Sequence, residues 1–243
     1  MNPDSGDCSL KNLRNELKSA SNRDYAEVAA RFFKTGKGEY GEGDVFIGVR
    51  VPRIREIVKG YRALSLDDAC ELLASPIHEE RMSGAMILVQ RYRARSISSD
   101  ERHAIYEFYM SHAESFNNWD LVDLTAPMIA GDYLYDHDRK ILFTFAKSSN
   151  LWRRRISIIS TQGFIRKGDC STTFEIAEIL LGDTHDLIHK AVGWMLREAG
   201  KVNTDDEEAF LRKHLSVMPR TMLRYAIEKF PELKRKKYLE GKI

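Results

Sequence analysis

The three tryptophans of this chain each stand about one helical turn from a charged residue. Trp119 precedes Asp123 in Asn117-Asn118-Trp119-Asp120-Leu121-Val122-Asp123. Trp152 precedes Arg155 in Leu151-Trp152-Arg153-Arg154-Arg155, and Trp194 precedes Arg197 in Gly193-Trp194-Met195-Leu196-Arg197. Spacings of three and four place both members of each pair on one face of an α-helix. An indole face attracts a cation, a carboxylate stabilises developing positive charge, and a guanidinium grips phosphate in a bidentate fork. Together these groups can handle a positively charged ring on a phosphate backbone, which points to DNA.

Each constellation also has a plainer use. Trp119 can be core, with Asp123 paired to a nearby cation. Arg153, Arg154 and Arg155 cannot all face one way, since successive helical residues are about 100° apart. They suit phosphate binding and an inter-repeat salt bridge equally well. Lys190, Trp194 and Arg197 form an i, i+4, i+7 stripe that a purely structural helix would fill with apolar residues, so a binding surface is favoured there. The stretch from Thr35 to Gly48 holds five of the 15 glycines. The glycine-rich part, Lys34 to Asp44, reads either as a flexible connector or as a mobile loop that orders on DNA, with Arg50 and Arg55 flanking Pro52 as backbone contacts. The order GxxxxGK[ST] is absent, and no strand–glycine–helix context surrounds the stretch. The seven histidines show no metal-ligand spacing, and neither GxSxG nor a Cys/His nucleophile pair can be argued. No cofactor is expected.

The elements that must position these residues are helical nearly throughout. Leu10, Leu13 and Leu17 repeat at helical spacing, as do Tyr25, Val28, Ala29, Phe32 and Phe33. Pro52 suits the first turn of a helix whose apolar face is Ile54, Ile57, Val58 and Tyr61. Further helices are expected at 66–73, 78–92, 99–110, 119–129, 138–147, 151–166, 172–180, 186–201, 207–215, 220–229 and 232–240. Start signals include Ser65 with Asp67, Ser98 to Glu101, and Thr204 to Glu207. Helices of this length on short connections suggest an all-α fold, an α-α superhelix (solenoid) of HEAT-like helical repeats. Trp119 to Trp152 is 33 residues and Trp152 to Trp194 is 42, within the range for such repeats. Their helices are the expected lining of one concave, DNA-binding surface.

Composition fits a soluble globular protein, with 43% hydrophobic and 30% charged residues over 243 positions. The expected organisation is a single domain over 1–243, with 1–9 a flexible N-terminus. A net charge of +2 neither demands nor excludes nucleic acid. Cys8, Cys70 and Cys170 are odd in number and scattered, which argues against a disulfide framework and for a reducing, cytoplasmic setting. The polar start carries no signal-peptide pattern, and no apolar run is long enough for a membrane span. A monomer is expected.

In order along the chain, the motifs Asn118-Trp119-Asp120-Leu121-Val122-Asp123, Leu151-Trp152-Arg153-Arg154-Arg155 and Ala191-Val192-Gly193-Trp194-Met195-Leu196-Arg197-Glu198 resemble the AlkD-type DNA alkylation repair proteins. Phe46-Ile47-Gly48-Val49-Arg50-Val51-Pro52-Arg53-Ile54-Arg55 is similar to that family's N-terminal motif. Each motif alone is weak, but four in order over roughly residues 25 to 230 are specific. The resemblance implies a glycosylase that excises cationic N3- and N7-alkylpurines, such as 3-methyladenine and 7-methylguanine, from double-stranded DNA. It places the catalytic carboxylate on Asp123, the lesion-flanking tryptophans on Trp119 and Trp194, and the active-site arginine on Arg155. It also implies that the lesion need not be rotated into a pocket, unlike in the usual base-flipping mode. Some members of the superfamily lack the carboxylate and bind DNA without cutting it; the presence of Asp123 favours activity. Arg155 and Arg197, with Lys190 more weakly, are expected on phosphates, and Trp152 is expected to pack beneath Arg155. The rival expectation is a non-catalytic helical-repeat protein that binds DNA structures or a protein partner.

Overall fold

The computed structural model describes residues 9–243. The expected flexible segment 1–9 lies outside these residues except for Ser9, whose hydroxyl caps the first helix. The chain divides into two compact units, one ending at Thr125 and one running from Ala126 to Ile243. Both are all-α and of the helical-repeat class, built from short helices packed on their sequence neighbours. Among the described residues the only β-pairing is an isolated parallel bridge between Val45 and Ile77.

The first unit contains α1 (Leu10–Ser19), α2 (Arg23–Phe32), α3 (Val51–Ile57), α4 (Leu66–Leu73), α5 (His78–Tyr92), α6 (Ser99–Ser111) and α7 (Trp119–Thr125). Side-chain caps start them where the sequence carries Asn or Ser: Asn22 for α2, Ser65 with Asp68 as a reciprocal box for α4, and Ser98 for α6. Helix α5 is the spine, packed against α3, α4, α6 and α7. It is buried on every side from His78 to Leu88, so the charged residues of its first turn need internal partners.

The second unit contains α8 (Ala130–Leu134), α9 (Lys140–Ala146), α10 (Leu151–Ile165), α11 (Ser171–Leu180), α12 (Asp186–Val202), α13 (Thr204–His214), α14 (Arg220–Ala226) and α15 (Glu232–Glu240). Helices α10 and α12 pack on each other and on most of the rest. Glycines set how closely they approach. A Cβ at Gly131 of α8 would lie 2.2 Å from the Ser160 carbonyl of α10, and one at Gly193 of α12 would lie 2.3 Å from the Met222 carbonyl of α14.

One expectation about helices needs correction, and one helix faces outward. The helix expected over 119–129 ends at Thr125, and a turn separates it from α8. Pro127 is the cause: it has no N–H to offer the carbonyl of Asp123, and its ring disfavours helical backbone at Ala126. The apolar stripe of α2 does not face the core. Of its residues only Ala29 is buried, whereas Val28 is 50% and Phe32 64% exposed.

Candidate functional site

Trp119 and Asp123 lie at the start and in the second turn of α7, while Leu121 and Val122 between them are fully buried. The core residues therefore turn Trp119, Asp120, Asp123 and Leu124 to the opposite side, where all four are half-buried. Trp119 stacks on Phe33, with ring centroids 5.3 Å apart and planes at 15°, and meets Phe32 edge-on at 6.0 Å. The charge of Asp123 reaches the buried Tyr109, whose phenol is pushed well above its ordinary pKa, chiefly by burial and further by that carboxylate.

A buried charge cluster fixes the start of this helix. The Oδ2 of Asp120 lies 2.8 Å from Nε2 of His78, and its Oδ1 accepts the Leu121 N–H at 2.9 Å. On its other side His78 has Nδ1 3.6 Å from Asp44, which pairs with Arg81 at 2.6 Å. Asn118, fully buried, donates to Asp44 through Nδ2 at 2.9 Å, and its Oδ1 accepts the N–H of Trp119 at 2.8 Å. The cluster is two carboxylates against Arg81 and one imidazole, so it is neutral only when the imidazole is charged. Burial opposes charge on His78, but hydrogen bonds to Asp120 and Asp44 outweigh burial and push its pKa up to about 9. Burial likewise opposes charge on Asp44, yet its bond to His78, the Arg81 charge and the Asn118 amide bring its pKa below the ordinary value. The rings of Phe33 and Phe46 cover His78 at 5.0 and 4.6 Å.

The glycine-rich stretch is tied to the same place. Val45 pairs with the chain at Pro76 to His78, and Asn22 donates to the Ile47 carbonyl. The N–H groups of Ile47, Gly48 and Val49 all converge on the carboxylate of Glu79, which is only 2% exposed. Gly48 is required there: its φ is +81°, and a Cβ would lie 1.9 Å from the Asn22 carbonyl. The N–H groups of Gly36 and Gly38 are taken by Glu39 and Glu42. Carboxylates of the protein itself, Glu39, Glu42 and Glu79, thus take several of the amides of this stretch. Arg50 and Arg55, either side of Pro52, follow it; both are exposed, and Arg50 lies over the Tyr25 ring at 4.6 Å.

Trp119 and Arg55 line one cavity of about 490 Å³ whose other walls include Tyr25, Val28, Phe32, Met82, Met86 and Asp120. It is an aromatic and thioether-lined cleft with one carboxylate and one guanidinium, of a size typical of ligand sites.

The remaining expected site residues belong to the second unit. Trp152 is 8% exposed. Arg155 is 4% exposed, and its Nη1 donates to the Leu187 carbonyl at 2.6 Å, joining α10 to the start of α12. Of its neighbours, Arg154 pairs with Asp183 at 2.6 Å and Arg153 lies over Phe145. Trp194 is half-buried on α12. One turn before it, Lys190 pairs with Asp186 at 2.7 Å. Arg197 faces Glu228 and Glu198, so its charge is held by acids of the protein itself.

Sequence reasoning missed Asp44, His78, Glu79, Arg81 and Phe33. A lone histidine, and charges at a helix start, read as solvated surface. The one available signal was that α5 carries no polar face opposite them, which leaves its first-turn charges no route to water. Among the described residues, no group of His, Cys, Asp and Glu could hold a metal ion, and no helix is long and apolar enough to cross a membrane.

The fold is of the helical-repeat class, with an aromatic and acidic face on α7. The comparison with protein families is specific: residues 13–230 match the family described as DNA alkylation repair enzyme, and the chain belongs to that family. Among solved structures it is similar to a predicted DNA alkylation repair enzyme from Enterococcus faecalis. The TM-score is 0.67 at 18% identity, over 87% of this chain and 97% of the other. That likeness supports the fold. No curated protein matches the chain.

Proposed function

We propose that this protein is a monofunctional DNA glycosylase that removes cationic alkylated purines, of the 3-methyladenine and 7-methylguanine type, from duplex DNA in base excision repair. The observation that carries the reading is the division of labour on α7. Asp120 binds His78 and the Leu121 amide and fixes the start of the helix, while Asp123 stands one turn beyond Trp119 on the same half-buried face, opposite the buried Leu121 and Val122.

The reaction hydrolyses the bond between the anomeric carbon and the purine. The base already carries positive charge, so it departs as a neutral purine with the bonding electrons and needs little help from an acid. The sugar develops oxocarbenium character. Asp123 stabilises that charge and orients water towards the anomeric carbon, taking its proton as the C–O bond forms. Trp119 and Trp194 offer indole faces to the cationic nucleotide, each worth roughly 0.5–2 kcal/mol. Arg50, Arg55, Arg155, Lys190 and Arg197 supply positive charge for phosphates, which positions DNA without reading its sequence. A cytoplasmic monomer working without a cofactor is part of the same reading.

Asp123→Asn tests it. Single-turnover release of 7-methylguanine should slow on the order of 10²-fold or more, with duplex affinity kept. An unchanged rate removes Asp123 from the chemistry. No release by the wild-type protein favours a DNA-binding protein without glycosylase activity.

A further inference from the structure

Charge is spread unevenly along this chain. From Arg212 to Ile243 ten lysines and arginines stand against three glutamates, although the whole chain carries only +2. Helix α14 lies in this stretch and is laid along α12. The Asp186 carboxylate of α12 accepts from the Thr221 hydroxyl of α14. A Cβ at Gly193 would lie 2.5 Å from the Cβ of Tyr225, and Arg197 pairs with Glu228 just beyond α14. Contacts that advance together along both segments mean that the two helices run parallel. Met222, Leu223, Ala226 and Ile227 are buried, which at about 100° per residue turns Arg220, Arg224 and Tyr225 outward. The open face of α14 therefore borders the α12 stripe of Lys190, Trp194 and Arg197 and widens it by one helix. Tyr225 is 37% exposed, large and aromatic as it is. Arg224 is exposed, and no carboxylate pairs with it among the described residues. Arg220, also exposed, donates through Nη1 to the Leu239 carbonyl at 2.9 Å, which steadies its guanidinium without neutralising it. Glu228, the acid on this face, is already engaged by Arg197 and Lys229.

We propose that the exposed face of α14 is a second, one-sided grip on the duplex backbone, with Arg220 and Arg224 on phosphates and Tyr225 against the sugars. This rests on the DNA-repair reading above and goes beyond it, since the cations assigned there end at Arg197 and the new contacts touch no lesion. Packed helices lie about 8–10 Å apart, and base pairs rise about 3.4 Å. A duplex crossing both helices thus meets α14 roughly three base pairs beyond Trp194. The grip reaches only the arm of the duplex on that side. Its continuity with the α12 stripe favours DNA over an acidic protein as the occupant. Backbone contacts carry no sequence information, so α14 adds affinity and register and leaves the choice of base to the α7 site.

The test uses the intact protein and duplexes with a single 7-methylguanine. Phosphates roughly two to five steps from the lesion are replaced by uncharged methylphosphonates on one arm, on the other, or on neither. Single-turnover base release against protein concentration gives an apparent Kd and a limiting rate. Neutralising one arm should weaken the apparent Kd roughly tenfold more than neutralising the other, with the limiting rate kept. The double variant Arg220→Ala/Arg224→Ala should lose about as much on the unmodified duplex and nothing further when that arm is neutralised. On undamaged duplex its salt slope should fall by about two. Arg220→Lys/Arg224→Lys, which keeps both charges, should restore most of the affinity. Wild-type affinity in the alanine variant, or a second full loss when the arm is neutralised, overturns the proposal. Poly-glutamate that displaces the duplex as well as competing DNA does would assign the face to an acidic protein and overturn it too. Base release with identical salt slopes would remove the grip and leave the glycosylase reading standing. The expected slopes without base release would do the reverse.

Discussion

His78 allows a sharp test of how the α7 site is held. Its imidazolium balances Asp44 and Asp120 in a buried cluster that already contains Arg81. Its pKa stands at about 9 against an ordinary 6.5. A raised pKa in the folded state means that the stabilisation is fully present below pH 6.5 and is lost as the pH rises through 9. At roughly 1.4 kcal/mol per unit, the whole contribution is about 3 kcal/mol, and most of it remains at pH 7. Urea unfolding of the wild-type protein and of His78→Gln, at intervals from pH 6 to pH 10, measures it. The wild type should lose about 2–3 kcal/mol more than the variant between pH 7 and pH 10. The gap between the two should be widest at or below neutral pH, because removing one member of a buried ion cluster costs about 3–5 kcal/mol. Other groups titrate in this range, Tyr and Lys above all, but they are common to both proteins and cancel in the difference. Parallel stability curves would refute the reasoning, since they would mean that His78 is not charged in the fold and that Asp44 and Asp120 are balanced some other way.

Three further outcomes are expected. Gly193→Ala puts a methyl group 2.3 Å from the Met222 carbonyl and should destabilise the protein by about 1–3 kcal/mol, read as a lower urea midpoint; an unchanged midpoint would mean that α12 and α14 can separate cheaply. Glu207 is buried, with Oε1 unpaired, and burial, aided by the Glu208 charge, raises its pKa to about 8. Charging it therefore costs stability as pH rises from 4.5 to 8, so Glu207→Gln should gain about 1–3 kcal/mol on wild type at pH 8 relative to pH 5, and a gain independent of pH would contradict this. Glu228→Gln should release Arg197 from its acid partner and steepen the salt dependence of duplex binding by about one phosphate contact; an unaltered slope would take Arg197 off the DNA.

The helices were legible because their apolar period is strong and their caps are ordinary. Ranges such as 66–73, 78–92 and 232–240 match the elements observed. The end of α7 was legible too, in Pro127, but the apolar run on either side of it masked the break. The facing of α2 was not legible. Its stripe has the periodicity of a core helix, and nothing local says that Val28 and Phe32 look onto an open cleft. Trp119 and Asp123 can be found from spacing, since partners four apart share a face by geometry alone. The cluster around His78 cannot be found that way: Asp44, His78 and Asp120 are far apart in sequence and meet only when α5 is buried on all sides. The arginines are a middle case: spacing offers Arg155 and Arg197 to phosphates but says nothing of their partners within the fold, which include the Leu187 carbonyl for one and Glu198 and Glu228 for the other.

The carboxylate of Glu79 occupies a ring of three successive amides at Ile47, Gly48 and Val49. Such a ring is an anion receptor, and here the receptor is born filled. The chain carries its own permanent counter-ion where a loop of this composition could have served a nucleotide phosphate. The loop is therefore settled by the chain itself, and Arg50, the next residue, is carried on a backbone already fixed. A lineage that lost Glu79 would not simply loosen this loop. It would open a vacant anion receptor beside Arg50, and so acquire a new place for a phosphate by deletion rather than by invention.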